Sequence, residues 1–203
     1  AKTPEKCTSW ITYGTWGNAD KEPHFTGGYG DYMYLHHPHT FFLKSGTTAE
    51  RTAFMEPMAV IVHSLLHAQI MPGDTVVVQG SGPIGLLTIA ACKVAGASRV
   101  IATGRRNRAR LDLAREMGAD LTLCQADMPS EKDRKEFVFD NSLNLVGADV
   151  VINTAGVAEA FKESLGFVRD SGTVVEVGNF VDSGTIEFNP CKDLLEKGKI
   201  GRA

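Results

Sequence analysis

Hydrophobic positions follow two different periods along most of the chain. From Asp74 onward, short continuous apolar runs alternate with longer segments in which apolar residues recur every three or four positions. Continuous runs are typical of strands that helices cover on both faces, so the alternation predicts an α/β fold built on a doubly wound parallel sheet. The predicted strands are residues 75–79, 99–103, 121–124, 149–153 and 173–178, and the predicted helices are residues 84–96, 107–117, 131–143 and 157–169.

The pattern outside this part is less regular. Residues 1–30 are rich in Gly, Trp, Tyr and Pro and have no clean period, which predicts irregular structure. A long helical pattern comes before the alternating part, and a break is predicted in it near Glu56–Pro57, because proline lacks the backbone N–H that a helix interior uses. The other predicted elements are strands at Tyr32–His36, Thr40–Lys44 and Thr185–Phe188, and helices at Thr48–Gln69 and Pro190–Leu195.

Three glycines with the spacing GxGxxG follow the first strand of the alternating part. They stand in the stretch TVVVQGSGPIG, and an amphipathic segment begins directly after it. In this context the first glycine permits a tight turn, the second lets the backbone approach a pyrophosphate, and the third lets the helix pack close to the strand. The loop is therefore predicted to bind a dinucleotide on a Rossmann sheet, and a glycine turn without a ligand is the alternative. The predicted contacts are Gly80, Ser81, Gly82, Pro83, Ile84 and Gly85.

The end of the second strand indicates which dinucleotide is preferred. About 20 residues beyond the glycine turn, an acidic residue commonly binds the ribose 2′-hydroxyl of NAD. This chain has Gly104 there, followed by Arg105 and Arg106, and the next carboxylate is Asp112. Two arginines can bind a 2′-phosphate through forked, charge-assisted hydrogen bonds, so NADP is predicted over NAD. The alternative is that the arginines only decorate an exposed loop.

Two further segments are candidate cofactor contacts because of their position. Ligands of doubly wound sheets bind at the carboxyl ends of the strands. Thr154, Ala155 and Gly156 follow the fourth strand, and Val177 and Gly178 end the fifth. Small residues suit this place, because the backbone itself must reach the ligand. Thr154, Gly156, Val177 and Gly178 are therefore predicted contacts.

Composition and charge exclude some partners. The 203 residues carry a net charge of −3, which gives no reason to expect binding to nucleic acid or to an anionic membrane surface. No apolar run approaches the length of a bilayer span, and the start of the chain has no signal-peptide core. The four cysteines form no CxxC pair, which predicts a reducing, cytoplasmic location. The missing initial Met and the ending KIGRA, where a new strand pattern starts, predict a piece of a longer protein.

Four segments together resemble one known family. They are GGYGDYMYL (Gly27–Leu35), EPMAVIVHSLL (Glu56–Leu66), PGDTVVVQGSGPIGLLTIAACKVAGASRVI (Pro72–Ile101) and LAREMGAD (Leu113–Asp120). This set resembles the medium-chain dehydrogenase/reductase superfamily, and within it the branch of zinc-dependent alcohol and polyol dehydrogenases. The resemblance implies a two-domain enzyme, in which residues 1–70 are a remnant of the β-rich, GroES-like catalytic domain with a linking helix, and residues 71–203 are the dinucleotide-binding Rossmann domain. It also implies that backbone groups after the fourth and fifth strands contact the nicotinamide half of the cofactor.

The resemblance further implies zinc in the full-length enzyme. Glu56 matches the glutamate of the family's Glu-Pro motif, which lies beside the catalytic zinc as a ligand or as a partner of its water, so it is the predicted catalytic residue. Cys7 resembles the last cysteine of the four-cysteine structural zinc lobe. No Gly-His-Glu segment, which supplies other ligands in this branch, occurs in the chain. Neither zinc site is therefore expected to be complete, and the chain alone is expected to bind nucleotide without turning over alcohol.

The predicted function of the full-length protein is hydride transfer between NADP(H) and an alcohol/carbonyl pair. Its partner is a small alcohol or carbonyl substrate, with NAD as the second possible cofactor, and the resemblance implies a homodimer or homotetramer. Two alternatives stay open. One is a zinc-free quinone or enone reductase of the same superfamily, and the other is a non-catalytic NAD(P)-binding module.

Overall fold

A computed structural model describes residues 31–32, 46–178, 185–187, 189–191 and 193. The chain divides into two compact units, Ala1–Thr47 and Thr48–Ala203, and the second contains almost all of the described residues. Of the predicted outer elements, the strands at Tyr32–His36 and Thr40–Lys44 lie outside the described residues apart from Tyr32. Residues 185–187 are described and are not in a strand, so the prediction at Thr185–Phe188 is wrong there, whereas residues 190, 191 and 193 are helical as predicted.

Two helices come before the sheet, α1 (Ala49–Thr52) and α2 (Met55–Ala68). The side chain of Thr48 caps α1 by accepting the N–H of Arg51. The break between the helices lies at Ala53–Phe54, slightly before the predicted place. Pro57 then falls in the first turn of α2. Because the N–H groups of a first turn make no intrahelical hydrogen bond, proline costs the helix none there.

Five parallel strands form the sheet, in the order β3-β2-β1-β4-β5. The strands are β1 (Thr75–Gln79), β2 (Arg99–Gly104), β3 (Leu121–Cys124), β4 (Ala148–Asn153) and β5 (Val168–Glu176), and the helices between them are α3 (Pro83–Val94), α4 (Arg108–Glu116), α5 (Glu131–Asp140) and α6 (Ala158–Phe167). The strand order reverses between β1 and β4, and a crevice opens beyond the carboxyl ends of the strands at such a switch point. The predicted α/β fold with a doubly wound parallel Rossmann sheet is confirmed.

Each face of the sheet has its own hydrophobic core. All five residues of β1 are buried, and alternate side chains point to opposite faces. Val76 and Val78 belong to one core together with Ile89 of α3. Val77 belongs to the other core together with Phe167 of α6. This two-sided burial holds β1 rigidly in the centre and so holds the glycine turn that follows it.

The last strand begins earlier than its apolar pattern predicts. Helix α6 ends at Phe167 and β5 starts at Val168, which pairs with Ala148. The register then shifts so that Val150 pairs with Thr173, and the intervening residues form a bulge. The polar residues of this bulge look like a loop in the sequence. Only the pairing with β4 makes them part of the strand.

No described helix is long and apolar enough to cross a lipid bilayer.

Candidate functional site

The turn after β1 uses its three glycines for three different purposes. Gly80 has φ +101°, and its N–H donates to the carbonyl of Thr103 at 3.1 Å. A Cβ on Gly85 would overlap the carbonyl oxygen of Gly80, so glycine is needed where α3 passes the turn. A Cβ on Gly82 would meet nothing within 4 Å, so open space lies in front of that backbone. The turn thus combines a backbone conformation that favours glycine, a close helix contact and an accessible backbone, as a pyrophosphate-binding loop requires.

Helix α3 begins at this open backbone. Gly82 is its N-cap, Pro83 stands at the first helical position, and no side chain caps the free N–H groups. The first turn of α3 contains no acidic residue. The positive end of the helix dipole and the free backbone N–H groups of the first turn therefore favour an anion in front of Gly82.

A cleft of about 930 Å³ lies at the carboxyl ends of the strands, in front of the turn. Among the predicted site residues, its lining includes Gly80, Ser81, Gly82, Gly104, Arg105, Arg106 and Thr154. The predicted residues Pro83, Ile84, Gly85, Gly156, Val177 and Gly178 do not line it. The structure thus brings the glycine turn and the two arginines to one cavity.

Gly104 contributes to this cavity through packing. A Cβ there would lie 2.8 Å from Oγ of Ser81 and 3.0 Å from Cδ2 of Leu111. A larger residue would require the side chains of Ser81 and Leu111 to shift. Glycine at this position therefore packs closely against these two side chains, in addition to any role in cofactor choice.

A cationic rim borders the cleft at the start of α4. It consists of Arg105, Arg106 and Arg110, all of them exposed. No carboxylate of the described residues lies within ion-pair distance of these three, whereas the neighbouring Arg108 binds Asp127 at 2.5 Å. The rim is thus free to bind an anion from solution. Arg110 was not among the predicted site residues.

The signal for Arg110 was the capping pattern of α4. The side chain of Asn107 is the N-cap and accepts the backbone N–H of Arg110 at 3.1 Å. That hydrogen bond fixes Arg110 in the first turn, close to the arginines that precede the helix.

The floor of the cleft is a buried polar network centred on Glu163. This cleft floor consists of Gln79, Gln125 and Glu163, which all line the cavity. One carboxylate oxygen of Glu163 accepts Nε2 of Gln79 at 3.1 Å and Nε2 of Gln125 at 3.0 Å. The other accepts Nε of Arg134, and Ser164 donates its hydroxyl to Oε1 of Gln79. A buried carboxylate needs such partners, because an unpaired one would be strongly destabilising.

None of the three residues of the cleft floor was among the predicted site residues. The available signal was Gln79, a polar residue that ends an otherwise apolar strand. Its partner lies 84 positions away in the chain. Only the packing of α6 against β1 brings the two side chains together.

On the other side of β1, the segments after β4 and β5 are tied to each other. Thr154 donates both its N–H and its hydroxyl to the carbonyl of Gln79, at 2.8 and 2.7 Å. Nδ2 of Asn153 donates to one carboxylate oxygen of Glu176 at 2.7 Å, and the N–H of Gly178 donates to the other at 2.7 Å. Burial raises the pKa of Glu176, while these hydrogen bonds oppose the shift.

Gly156 and Gly178 approach each other within this arrangement. A Cβ on Gly178 would collide with the backbone nitrogen and Cα of Gly156. The two segments predicted to contact the cofactor are therefore adjacent, although neither glycine lines the cleft itself. The contact explains why position 178 takes glycine.

The described residues do not form a complete catalytic or structural zinc site. Glu56 is exposed in the first turn of α2, and Cys7 lies outside the described part. No group of three His, Cys, Asp or Glu side chains within the described part is arranged to hold a metal ion. A catalytic zinc needs three protein ligands, so Glu56 by itself does not suffice.

Known proteins share both this sequence and this fold. The chain is 35% identical over 156 residues to D-xylulose reductase A of Aspergillus niger, covering 77% of this chain and 43% of that protein. An alcohol dehydrogenase of Thermotoga maritima superimposes with a TM-score of 0.85 at 27% identity, covering 99% of this chain and 55% of that one. A Sinorhizobium meliloti protein assigned as a zinc-binding dehydrogenase, solved with NADP bound, has a TM-score of 0.64 at 36% identity, covering 73% and 42%.

The chain spans less than half the length of the curated relative it matches. The family model described as zinc-binding dehydrogenase matches residues 83–200, which is more than half of the chain. The match includes the start of α3, the cationic rim and the segments after β4 and β5. The chain therefore belongs to the zinc-binding dehydrogenase family, within the branch of alcohol and polyol dehydrogenases that its motifs resemble.

Proposed function

We propose that this chain is the nucleotide-binding portion of a zinc-type alcohol or polyol dehydrogenase that uses NADP(H). The observation that carries the proposal is the meeting of the open glycine turn and the unpaired arginine rim in one cleft. An uncapped helix N-terminus binds a pyrophosphate, and arginines bind a 2′-phosphate. The relative solved with NADP supports this cofactor, and the relative named as a D-xylulose reductase supports the polyol class of substrate.

The residues of the cleft have separate tasks in this proposal. The backbone at Gly82 and the start of α3 hold the pyrophosphate, and Arg105 and Arg106 hold the 2′-phosphate. The segments at Thr154 and Gly178 position the nicotinamide half. When bound, the nicotinamide ring donates or accepts the hydride. The chain's own part of the chemistry is to orient that ring and to neutralise the charged half of the cofactor.

Zinc enters the proposal only for the full-length protein. Glu56 is the proposed neighbour of that metal, by its match to the Glu-Pro motif. Because the described residues provide no complete set of ligands, we expect the 203-residue chain to bind nucleotide without oxidising alcohols. Metal analysis of the full-length protein checks the zinc assignment. A metal-free protein that still reduces a quinone or an enone would favour the zinc-free reductase instead.

Parallel titrations of the purified chain with NADPH and NADH test the cofactor assignment, followed by nicotinamide fluorescence or by heat. We expect saturation with NADPH and binding of NADH that is weaker by about tenfold or more, equivalent to about 1.4 kcal/mol. Tighter binding of NADH would overturn the role of the arginine rim. Binding of neither nucleotide would overturn the proposal that this cleft is the cofactor site.

Assembly and domain boundaries belong to the proposal as well. We propose a homodimer or homotetramer for the full-length protein, with residues 1–70 in its catalytic part and residues 71–203 in its nucleotide domain. Light scattering of the full-length protein would measure its oligomeric state. Limited proteolysis would locate the domain boundary, and protection of Thr48–Ala68 together with the sheet would contradict a boundary at residue 70.

A further inference from the structure

Two histidines lie one helical turn apart on an exposed face of α2. This histidine pair consists of His63 and His67, and both side chains are exposed. Residues four positions apart in a helix lie above one another on the same face, so the two side chains can reach a common point. Another face of α2 is buried through Ile61, Ser64 and Ala68, which holds the backbone of the pair in place. Neither histidine lines the cofactor cleft.

The two imidazole rings turn the same atom toward each other. Nε2 of His63 and Nε2 of His67 lie 3.2 Å apart, and the rings meet edge to face with 75° between their planes. Among the described residues, neither side chain has another hydrogen bond or an ion pair, so both Nδ1 atoms can donate to water. A neutral imidazole carries its proton on one nitrogen and is an acceptor at the other. With the proton of each ring on Nδ1, both Nε2 atoms therefore present lone pairs side by side.

The separation of the two Nε2 atoms fits two ligands of one metal ion. Bonds from zinc to imidazole nitrogen are about 2.0–2.1 Å long. Two such bonds that end on nitrogens 3.2 Å apart enclose an angle of about 103° at the metal, close to the tetrahedral angle of about 109° that zinc adopts. The right angle of a square-planar copper site would place the nitrogens only about 2.9 Å apart. The spacing therefore favours zinc.

We propose that His63 and His67 form a binding site for a divalent transition-metal ion, with Zn²⁺ as the ion that the spacing fits best. Imidazole nitrogen is a good ligand for zinc, whereas Mg²⁺ and Ca²⁺ prefer oxygen. Because both side chains are exposed, water fills the remaining coordination positions. Two protein ligands make this site weaker than a structural or catalytic zinc site, which uses three or four.

A metal ion at the histidine pair joins two successive turns of α2. In the unfolded chain the two rings are not held at this distance, so the ion binds the folded state better and stabilises it. The stabilisation is local to α2 and does not involve the residues that line the cleft. The inference is therefore independent of the proposed binding of NADP.

Calorimetric titration of the intact chain with zinc chloride tests the site, and magnesium chloride is the control for non-specific cation binding. We expect saturable binding of zinc alone, and a melting temperature that rises by about 5 °C or more when zinc is present at a hundredfold excess over its Kd. His63→Gln and His67→Gln should each weaken zinc by about tenfold or more, because a single imidazole no longer chelates the ion. Equal zinc affinity in these variants and in the unmodified chain would overturn the proposal.

A variant of identical composition tests the spacing itself. Val62→His combined with His63→Val keeps two histidines on α2 but places them five positions apart, which turns them about 140° away from each other around the helix. Val62 is exposed like the histidine beside it, so the exchange should leave the fold intact. The zinc-dependent rise in melting temperature should disappear. A rise as large as that of the unmodified chain would show that the pair does not bind zinc.

Two further variants account for other zinc ligands in the chain. One removes the exposed thiol of Cys191 together with Cys7, by serine substitution, and the other replaces His36, His37 and His39 by glutamine. Both should keep the zinc affinity of the unmodified chain. Loss of zinc binding in either of them, with undiminished binding in the variants of the histidine pair, would overturn the proposal.

Titration of NADPH with and without zinc separates this inference from the proposed function. The affinity for NADPH should be the same in both, because the histidine pair lies outside the cleft. A chain that binds NADPH but not zinc would overturn the metal site alone. A chain that binds zinc at the pair but not NADPH would overturn the proposed function alone.

Discussion

A side chain on Gly85 would overlap the carbonyl oxygen of Gly80, although one residue lies in α3 and the other in the turn before it. The helix can pass the turn because Gly85 lacks a Cβ, whereas Gly80 is needed for its φ of +101°. Gly82, between them, faces open space and has φ −79°, a value that any residue adopts. The GxGxxG spacing therefore combines two glycines that the fold needs with one that only a ligand needs.

This difference predicts opposite effects of two alanine substitutions. Gly85→Ala should lower the free energy of unfolding by about 1–3 kcal/mol or more, because the added methyl group meets backbone that cannot move away. Gly82→Ala should change it by less than about 0.5 kcal/mol but weaken NADPH by roughly tenfold, because the methyl occupies the space of the pyrophosphate. Urea unfolding and NADPH titration of both variants measure this. A stable Gly82→Ala protein with undiminished affinity would contradict the pyrophosphate site.

The arginine rim should determine the choice between the two cofactors. Arg105→Ala and Arg106→Ala should each weaken NADPH by about tenfold to a hundredfold, since a hydrogen bond to a charged group contributes about 1.5–3 kcal/mol. NADH has no 2′-phosphate, so its affinity should change by less than about twofold. Arg108→Ala is the matched control, because that side chain is already bound to Asp127. Equal losses for NADPH and NADH would show that the arginines act through the fold or the pyrophosphate instead.

Glu176 should make the stability of the fold depend on pH. Its pKa is raised in the folded chain by burial, so the folded state holds the proton more tightly than the unfolded state does. Raising the pH from the ordinary value near 4.5 through the raised value should therefore remove stability, and acidification should restore it. Glu176→Gln lacks this contribution. On going from pH 4 to pH 7, its melting temperature should gain relative to that of the unmodified chain, and the opposite change would contradict the burial effect.

Asp149 should stabilise the fold without affecting the cofactor. One of its carboxylate oxygens accepts the N–H of buried Thr75 at 2.8 Å, and the other accepts Nε of Arg169 at 2.6 Å. These contacts join the amino-terminal ends of the strands, far from the carboxyl ends that form the cleft. Asp149→Ala should cost about 1–3 kcal/mol, because it leaves a buried N–H unpaired, with NADPH affinity unchanged.

Asp112→Ala provides the control for that experiment. Asp112 forms an exposed pair with Arg115 three residues later, so its loss should cost less than about 0.5 kcal/mol. Urea unfolding of both variants gives the comparison. Similar losses for the two would show that the contact with Thr75 contributes little, and a large loss of NADPH affinity in Asp149→Ala would show that the two edges of the sheet are coupled.

By itself, the sequence determined the elements that local pattern controls. The apolar runs at Thr75–Gln79 and Ala148–Asn153 have the composition of strands buried on both faces, and their alternation with amphipathic segments leaves few topologies other than a doubly wound parallel sheet. The glycine spacing determined the turn, because a tight backbone turn and a close helix contact each require glycine at one particular position. The arginines after β2 were visible for the same reason, because they follow directly on a predicted strand end.

Tertiary structure alone decided the features that join distant parts of the chain. The early start of β5 depends on its pairing with β4, and the close packing at Gly104 depends on Ser81 and Leu111, which the local pattern does not contain. The cleft floor is the clearest case, because Gln79 and Glu163 lie 84 residues apart and meet only when α6 packs on β1. A polar side chain at the end of an apolar strand indicates that a hydrogen-bond partner is needed. The packing of the whole sheet decides which residue is that partner. Leaving either group buried and unpaired would be destabilising.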